Sequence, residues 1–122
     1  MKKPLNILII EDNFDDAYLI EKNLQRSGLQ FNAHVVTGKE DFMLELNGQP
    51  YDVILTDNGM PQFDSMDVLN FLNEKKLKTP VIIVSGTINQ QNASSMIKKG
   101  VFDYVGKDNL KILAGVITKA IG

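Results

Sequence analysis

The chain has 122 residues, of which 43% are hydrophobic and 23% charged, enough for one domain that buries about two-thirds of its unfolded surface. A net charge of −2 and a pI near 5.3 argue against direct binding of nucleic acid, which needs a basic surface. Cysteine is absent, which excludes disulfides and cysteine-based metal sites, and no run has the length of a signal-peptide core or membrane span, so a soluble, cytoplasmic protein is expected.

Five apolar, strand-like runs alternate with five helical patterns along the chain. The predicted strands are residues 5–10, 33–37, 52–56, 81–84 and 102–105. The predicted helices are residues 14–27, 39–46, 65–75, 89–99 and 109–120. This alternation is typical of a parallel sheet with helices on both faces, and right-handed connections let such units wind doubly around it. We therefore expect one domain over residues 1–122, with a five-stranded parallel sheet in the order 2-1-3-4-5.

Polar side chains follow four of the predicted strands. Glu11 and Asp12 follow the first strand, Asp57 the third and Ser85 the fourth, and Lys107 lies just beyond the fifth. The carboxyl ends of parallel strands meet at one edge, and ligands bind there where the winding reverses, so these side chains should share one crevice. Carboxylates favour Mg²⁺, whereas a hydroxyl and an ammonium suit a phosphoryl group. The set predicts a Mg²⁺ and phosphoryl site in which Asp57 can act as the nucleophile.

Each of these residues has a simpler interpretation when taken alone. Asp12 or Asn13 can cap the first helix, and Asp57 can begin a turn with Asn58 and Gly59. Strand-end hydroxyls and solvated lysines are also common. The functional prediction therefore depends on all the residues converging on one crevice.

The segments that carry these residues resemble those of CheY-like receiver domains of bacterial two-component response regulators, and the resemblance covers essentially the whole chain. That family has an acidic pair after strand 1, Asp after strand 3, Ser or Thr after strand 4 and Lys after strand 5. The matching segments here are Ile9-Ile10-Glu11-Asp12, Leu55-Thr56-Asp57-Asn58-Gly59-Met60-Pro61, Ile83-Val84-Ser85-Gly86 and Asp103-Tyr104-Val105-Gly106-Lys107. The resemblance implies a flavodoxin-like (βα)5 fold and a receiver domain without an output domain in this chain.

The resemblance also implies how the phosphoryl group arrives. Asp57 would accept it from a phosphohistidine on a sensor histidine kinase or a histidine phosphotransfer protein. Asp12, Asp57 and the backbone carbonyl of Gly59 would bind Mg²⁺, with Glu11 acting through water. The protein would catalyse its own phosphorylation, with an autophosphatase activity, and would turn over no diffusible substrate.

The same resemblance implies a conformational switch. Ser85, Gly86 and Lys107 would hold the phosphoryl group, Ser85 would move toward it, and Tyr104 would turn inward. The change would reach the surface of helix 4, strand 5 and helix 5, which would bind a downstream protein or a second copy of the chain. Direct contacts with nucleic acid or a membrane are not expected.

Two features depart from the family pattern. Asp108 follows Lys107 where many receivers have proline after a cis peptide bond. A cis peptide bond before a residue other than proline costs about 3 kcal/mol, so a trans bond is expected. The resemblance therefore does not by itself predict that the Lys107 side chain points into the crevice. Gly59 and Thr87 lie near the path of hydrolytic water without the charged or amide groups of some relatives, so neither predicts the phosphoryl lifetime.

Three other functions fit parts of the pattern. A flavin-binding electron carrier shares the architecture but needs a phosphate loop after strand 1, where residues 13–16 include two acids that would repel phosphate. A hydrolase with an aspartate nucleophile usually presents Asp-x-Asp after strand 1, which is absent here. The strongest rival is an unphosphorylated pseudo-receiver that acts only as a protein-protein interaction module. The intact set of Asp12, Asp57, Ser85 and Lys107 argues against it.

The remaining aromatic and polar residues are assigned to structure. His34, in the predicted edge strand, is expected to be a structural or surface residue. Phe63, Phe71 and Phe102 are expected in the core. The predicted fourth helix has few apolar positions, so it should open at low cost.

Overall fold

The computed structural model of the protein describes residues 3–86 and 90–122, apart from the side chain of Gln90. Two expectations concern other residues. They are the start of the fourth helix at Asn89 and the part of Thr87 in phosphoryl hydrolysis, and both lie outside the described residues.

Five parallel strands form one sheet in the order β2-β1-β3-β4-β5. The strands are β1 (Leu5–Ile10), β2 (Phe31–Val36), β3 (Val53–Thr56), β4 (Val81–Ser85) and β5 (Asp103–Gly106). The helices are α1 (Phe14–Arg26), α2 (Lys39–Gly48), α3 (Ser65–Glu74), α4 (Gln90–Lys99) and α5 (Leu113–Ile121). A short 3₁₀ helix (Lys107–Ile112) connects β5 to α5. The strand order confirms the doubly wound, flavodoxin-like fold.

The sheet is covered on both faces because β1, β3 and β4 are apolar at successive positions, and successive strand residues point to opposite sides. The core on the α2 and α3 side includes Leu8, Ile10, Phe42, Ile54, Val68, Leu72, Val81 and Ile83. The core on the α1 and α5 side includes Ile7, Ile9, Ile20, Leu24, Val53, Leu55, Ile82, Val84, Leu113 and Ile117. Burial on both faces leaves the strand ends as the place where polar side chains can gather.

Polar caps define where two of the helices begin. The Oδ1 of Asn13 accepts a hydrogen bond from the Asp16 N–H at 3.1 Å at the start of α1. At the start of α3, the Asp64 side chain accepts from the Asp67 N–H and the Asp67 side chain accepts from the Asp64 N–H, each at 3.0 Å. Gly28 follows α1 with a φ of 85°, a conformation that glycine adopts without steric cost. These caps hold the first turns of α1 and α3 close to the strand ends.

The last helix differs from the prediction of one continuous helix over residues 109–120. The 3₁₀ helix precedes α5, and Asn109 within it has non-helical angles, φ −135° and ψ 41°. Asparagine favours turns because its side chain competes for backbone hydrogen bonds. The β2 strand also begins earlier than predicted, at Phe31, because its pairing with β1 starts at Leu5.

The aromatic assignments are confirmed for two of three phenylalanines. Phe63 is buried and Phe71 is partly buried, and their ring centroids lie 5.4 and 6.2 Å from that of Phe42. The core assignment of Phe102 is wrong, because this residue precedes β5 and is 40% exposed. His34 lies on the edge strand β2 with 52% of its side chain exposed, which confirms it as a surface residue.

The helix α4 is only lightly anchored to the rest of the fold. Of its apolar side chains, Ala93 is buried, Met96 is partly buried and Ile97 is 40% exposed. This agrees with the thin apolar stripe expected for this helix. Within residues 3–86 and 90–122, no helix has the length and apolar character needed to cross a lipid bilayer.

Candidate functional site

The ends of β1 and β3 bring three carboxylates together. The two strands are adjacent and parallel, and the Asp57 N–H donates to the Ile10 carbonyl at 3.0 Å. One oxygen each of Glu11, Asp12 and Asp57 lies within 4.8 Å of the other two. Glu11 and Asp57 are buried, whereas Asp12 is exposed. Carboxylates this close repel one another unless a cation is nearby.

Lys107 supplies a positive charge to this cluster. Its Nζ lies 2.7 Å from Asp16 Oδ2, 2.9 Å from Glu11 Oε2 and 3.3 Å from Asp57 Oδ2. Burial alone lowers the pKa of this ammonium, but the contacts with Asp16 and Glu11 and the charge of Asp57 outweigh burial, so the pKa of Lys107 lies above its ordinary value. The side chain is therefore charged at neutral pH.

The peptide bond between Lys107 and Asp108 is trans, as expected where no proline follows the lysine. In the described parts of the chain, no peptide bond is cis. The Nζ of Lys107 nevertheless lies 3.3 Å from Asp57 Oδ2. The presence of Asp108 after Lys107, where many receivers have proline, therefore does not turn the ammonium away from the crevice.

Glu11 lies almost fully buried under the cluster, with 1% exposure. Burial raises the pKa of its carboxyl; Lys107 and the N–H of Asn13 offset part of this, and the charge of Asp57 adds to it. Its Oε1 accepts from the Asn13 N–H at 3.1 Å. Among the described residues no aligned hydrogen bond reaches its Oε2, whose close neighbour is the Lys107 ammonium. A buried carboxylate oxygen with this spare capacity, beside two further acids, fits a hard divalent cation.

The loop after β3 orients the side chain of Asp57. Its Oδ1 accepts from the Gly59 N–H at 3.0 Å, while its Oδ2 faces Lys107. The Oδ1 of Asn58 accepts from the Ser65 hydroxyl at 3.0 Å, which ties this loop to α3. A Cβ built on Gly59 would lie 3.5 Å from Asp57 Oδ1, so the backbone of Gly59 lies next to the acid cluster.

Ser85 and Gly86 lie at the end of β4, the strand next to β3. Ser85 is 2% exposed and pairs in register with Gly106, the residue before Lys107. Gly86 is exposed, and a Cβ built there would lie 3.9 Å from the Lys107 Cδ. A hydroxyl and a residue without a side chain therefore lie on the Lys107 side of the crevice.

Tyr104 lies on β5, in register with Ile83 of β4. Its side chain is partly buried against the core on the α2 and α3 side, as is Met96 of α4. This position links β5 to α4 through a shared core. The inward turn of Tyr104 on activation stays a prediction.

Asp16 contacts Lys107 although the sequence analysis did not single it out. It lies in the first turn of α1, and its carboxylate makes the shortest of the three contacts to the ammonium, at 2.7 Å. A signal was present in the sequence, because Asp16 lies in the first turn of the predicted first helix, which begins close to the end of the first strand. Among the described residues, four acids and one lysine thus lie in the crevice.

A doubly wound parallel sheet with acids at the ends of β1 and β3, a hydroxyl after β4 and a lysine after β5 is the arrangement of the phosphoacceptor domains of two-component signalling. Comparison with protein families agrees, since the family model described as response regulator receiver domain matches residues 7–116. The chain belongs to the response regulator receiver domain family.

Similar proteins include longer regulators and isolated receiver domains. The cell cycle transcriptional regulator CtrA of Caulobacter vibrioides is 31% identical over 103 residues, which cover 84% of this chain and 44% of that protein. The DNA-binding transcriptional regulator NtrC of Proteus hauseri is 28% identical over 102 residues, covering 84% of this chain and 21% of that protein. The chain therefore spans less than half the length of these relatives. The solved receiver domain of Francisella response regulator 1452 has a TM-score of 0.76 and 27% identity, covering 94% of this chain and 97% of that one.

Proposed function

We propose that this chain is a phosphorylation-dependent switch of a two-component phosphorelay and that Asp57 accepts the phosphoryl group. Membership of the receiver family supports a phosphoacceptor signalling domain and not an enzyme that turns over a diffusible substrate. The observation that carries the proposal is the position of Asp57, within 4.8 Å of two acids and 3.3 Å from Lys107. These neighbours suit phosphoryl transfer, which depends mainly on positioning and charge neutralisation.

Mg²⁺ is the cation we propose for the acid cluster. Asp12, Asp57 and the backbone carbonyl of Gly59 would bind it directly, and Glu11 would act through water. The carboxylate oxygens of Glu11, Asp12 and Asp57, which lie within 4.8 Å of one another, support a cation at this position. Bound Mg²⁺ would offset the negative charge of the transferring phosphoryl oxygens.

Transfer to Asp57 exchanges one bond to phosphorus for another. A carboxylate oxygen of Asp57 attacks the phosphorus of a phosphohistidine, and a P–O bond forms as the P–N bond breaks. The electron pair stays on the imidazole nitrogen, which takes up a proton from solvent. Lys107 then contacts a phosphoryl oxygen, and Ser85 donates a hydrogen bond to another. Attack of water on phosphorus would later release phosphate and return the carboxylate, which is the autophosphatase step of the proposal.

The donor would be a sensor histidine kinase or a histidine phosphotransfer protein. Such a donor has to bring an imidazole to the rim of the crevice, where α1 begins. Phe14 and Tyr18 lie on α1 and are 78% and 57% exposed. Large exposed apolar side chains beside a reactive group are typical of an interaction surface, and we propose that these two contact the donor.

The surface formed by α4, β5 and α5 would transmit the signal to the downstream partner. Ser85 would move toward the phosphoryl group and Tyr104 would turn inward, which changes the packing beside α4. Ile97 of α4, which is 40% exposed, supplies apolar area there. The light packing of α4 supports rearrangement at low cost. We propose that a downstream protein binds this surface. Self-association on phosphorylation would instead indicate that a second copy of the chain binds there.

We also propose that residues 1–122 act as a single response regulatory unit in the cytoplasm. The relatives described as transcriptional regulators match over less than half their length. The DNA-related activity of those relatives is therefore not assigned to residues 1–122. Neither nucleic acid nor a membrane is proposed as a direct partner.

Phosphorylation by a small donor tests the proposal. The protein is incubated with Mg²⁺ and acetyl phosphate, and its intact mass is measured. Wild type and Asp15→Asn should each gain one phosphoryl group, whereas Asp57→Asn should gain none. Asp15 is a matched control because it is exposed and is not among the acids that contact Lys107. A folded wild type that gains no mass would favour a pseudo-receiver that acts only by binding.

A further inference from the structure

The ammonium of Lys107 is shared among three carboxylates, and Asp57 is the most distant of them. The contacts to Asp16, Glu11 and Asp57 measure 2.7, 2.9 and 3.3 Å. The contacts to Asp16 and Asp57 are hydrogen bonds, and the contact to Glu11 is an ion pair. A phosphoryl oxygen on Asp57 would therefore have to share the ammonium of Lys107 with the carboxylates that already contact it.

Asp16 is the contact that can be released at the lowest cost. Its side chain is 32% exposed, compared with 1% for Glu11 and 11% for Asp57. A carboxylate at that exposure regains water when it loses its partner, whereas a buried one does not. Asp16 also lies outside the cluster formed by Glu11, Asp12 and Asp57, so its release leaves that cluster intact.

The backbone holds Asp16 in this competing position. The Asp16 N–H donates to the Asn13 side chain at 3.1 Å, and the Asn13 N–H donates to the Glu11 side chain at 3.1 Å. The first turn of α1 is thus fixed to the end of β1. The backbone of Asp16 is therefore held close to Lys107, so its carboxylate can compete for the ammonium.

We propose that Asp16 is a positioning residue that competes with the phosphoryl group for Lys107 and thereby limits how readily this receiver is phosphorylated. The inference rests on the proposed function, since it requires Asp57 to be the phosphoacceptor. Removing the charge of Asp16 should therefore strengthen binding of phosphoryl groups and their analogues.

The experiment compares Asp16→Asn with wild type and with Asp15→Asn, which makes the same charge change on the same helical turn. Beryllofluoride affinity is measured by calorimetry, and the rate of phosphorylation is measured against acetyl phosphate concentration, both with saturating Mg²⁺. Asp16→Asn should bind beryllofluoride about three- to tenfold more tightly and lower the KM for acetyl phosphate by a similar factor, as expected for release of one partly exposed charged hydrogen bond. Asp15→Asn should stay within about twofold of wild type.

A second background separates competition for Lys107 from a general structural effect. In the Lys107→Ala background, adding Asp16→Asn should raise the second-order rate constant of phosphorylation no more than adding Asp15→Asn does. The reason is that the ammonium for which Asp16 competes is absent. A gain that persists without Lys107 would overturn the proposal. Equal behaviour of Asp16→Asn and Asp15→Asn, or slower phosphorylation of Asp16→Asn, would also overturn it. If the wild type neither gains a phosphoryl group nor binds beryllofluoride, the proposed function fails and this inference fails with it.

Discussion

Replacing Asp57 by asparagine should raise the melting temperature of the metal-free protein. Asparagine keeps the shape of the side chain but removes one of three clustered charges. At an effective dielectric constant of about 20, two like charges 4.8 Å apart, the upper limit for the oxygens of this cluster, repel by about 3.5 kcal/mol, and the attraction to Lys107 across 3.3 Å is about 5 kcal/mol. Two such repulsions exceed the attraction by about 2 kcal/mol, and water around the exposed Asp12 reduces the difference to about 1 kcal/mol.

For a chain of 122 residues, 1 kcal/mol corresponds to about 4 °C in melting temperature. Thermal unfolding is followed by circular dichroism in the presence of a chelator, with Asp15→Asn as the control for net charge. Excess Mg²⁺ should reverse the order, because it stabilises the wild type through a ligand that the variant lacks. If Asp57→Asn melts at or below the wild type in chelator, or if Asp15→Asn shows the same rise, the three acids do not repel one another in a shared site.

Two further predictions concern pH and helix capping. The metal-free protein should gain stability on acidification, because burial raises the pKa of Glu11 and the folded protein then binds a proton more readily than the unfolded chain. Denaturant titrations should show this gain in the free energy of unfolding as the pH falls through the raised pKa of Glu11 toward about 4.3, the ordinary value for glutamate. An unchanged gain in Glu11→Gln would assign it to another group. Asp64→Ala removes the cap of α3 and should lower the free energy of unfolding by about 1 kcal/mol. Asp64→Asn, which keeps an acceptor, should lose less than half as much, and equal losses in urea titrations would show that the cap is not the cause.

The sheet and most of the site could be predicted because the relevant signals are local. The strands β1, β3 and β4 are apolar at almost every position, a pattern that favours strands buried on both faces. Glu11 and Asp57 directly follow two of these runs, and Ser85 ends the third. Once parallel order is assumed, adjacent strand ends place these side chains together without any knowledge of loop conformation.

Other features depended on geometry that a local pattern does not contain. The contact between Asp16 and Lys107 depends on the angle at which α1 leaves β1 and on the path of the chain after β5. The kink at Asn109 was missed because the apolar spacing over residues 109–120 also fits one unbroken helix. The exposure of Phe102 was missed because an aromatic residue beside a strand has the same hydrophobicity whichever way it points.

Localisation of the modified side chain tests the central claim most directly. The wild-type protein is phosphorylated with acetyl phosphate and Mg²⁺, the acyl phosphate is reduced with borohydride to an alcohol, and the altered residue is found by peptide mass mapping. Reduction at Asp57, absent when Mg²⁺ is chelated, is the result expected if Asp57 is the phosphoacceptor. Reduction at Glu11, Asp12 or another acid, or no reduced residue in the folded protein, would contradict that assignment.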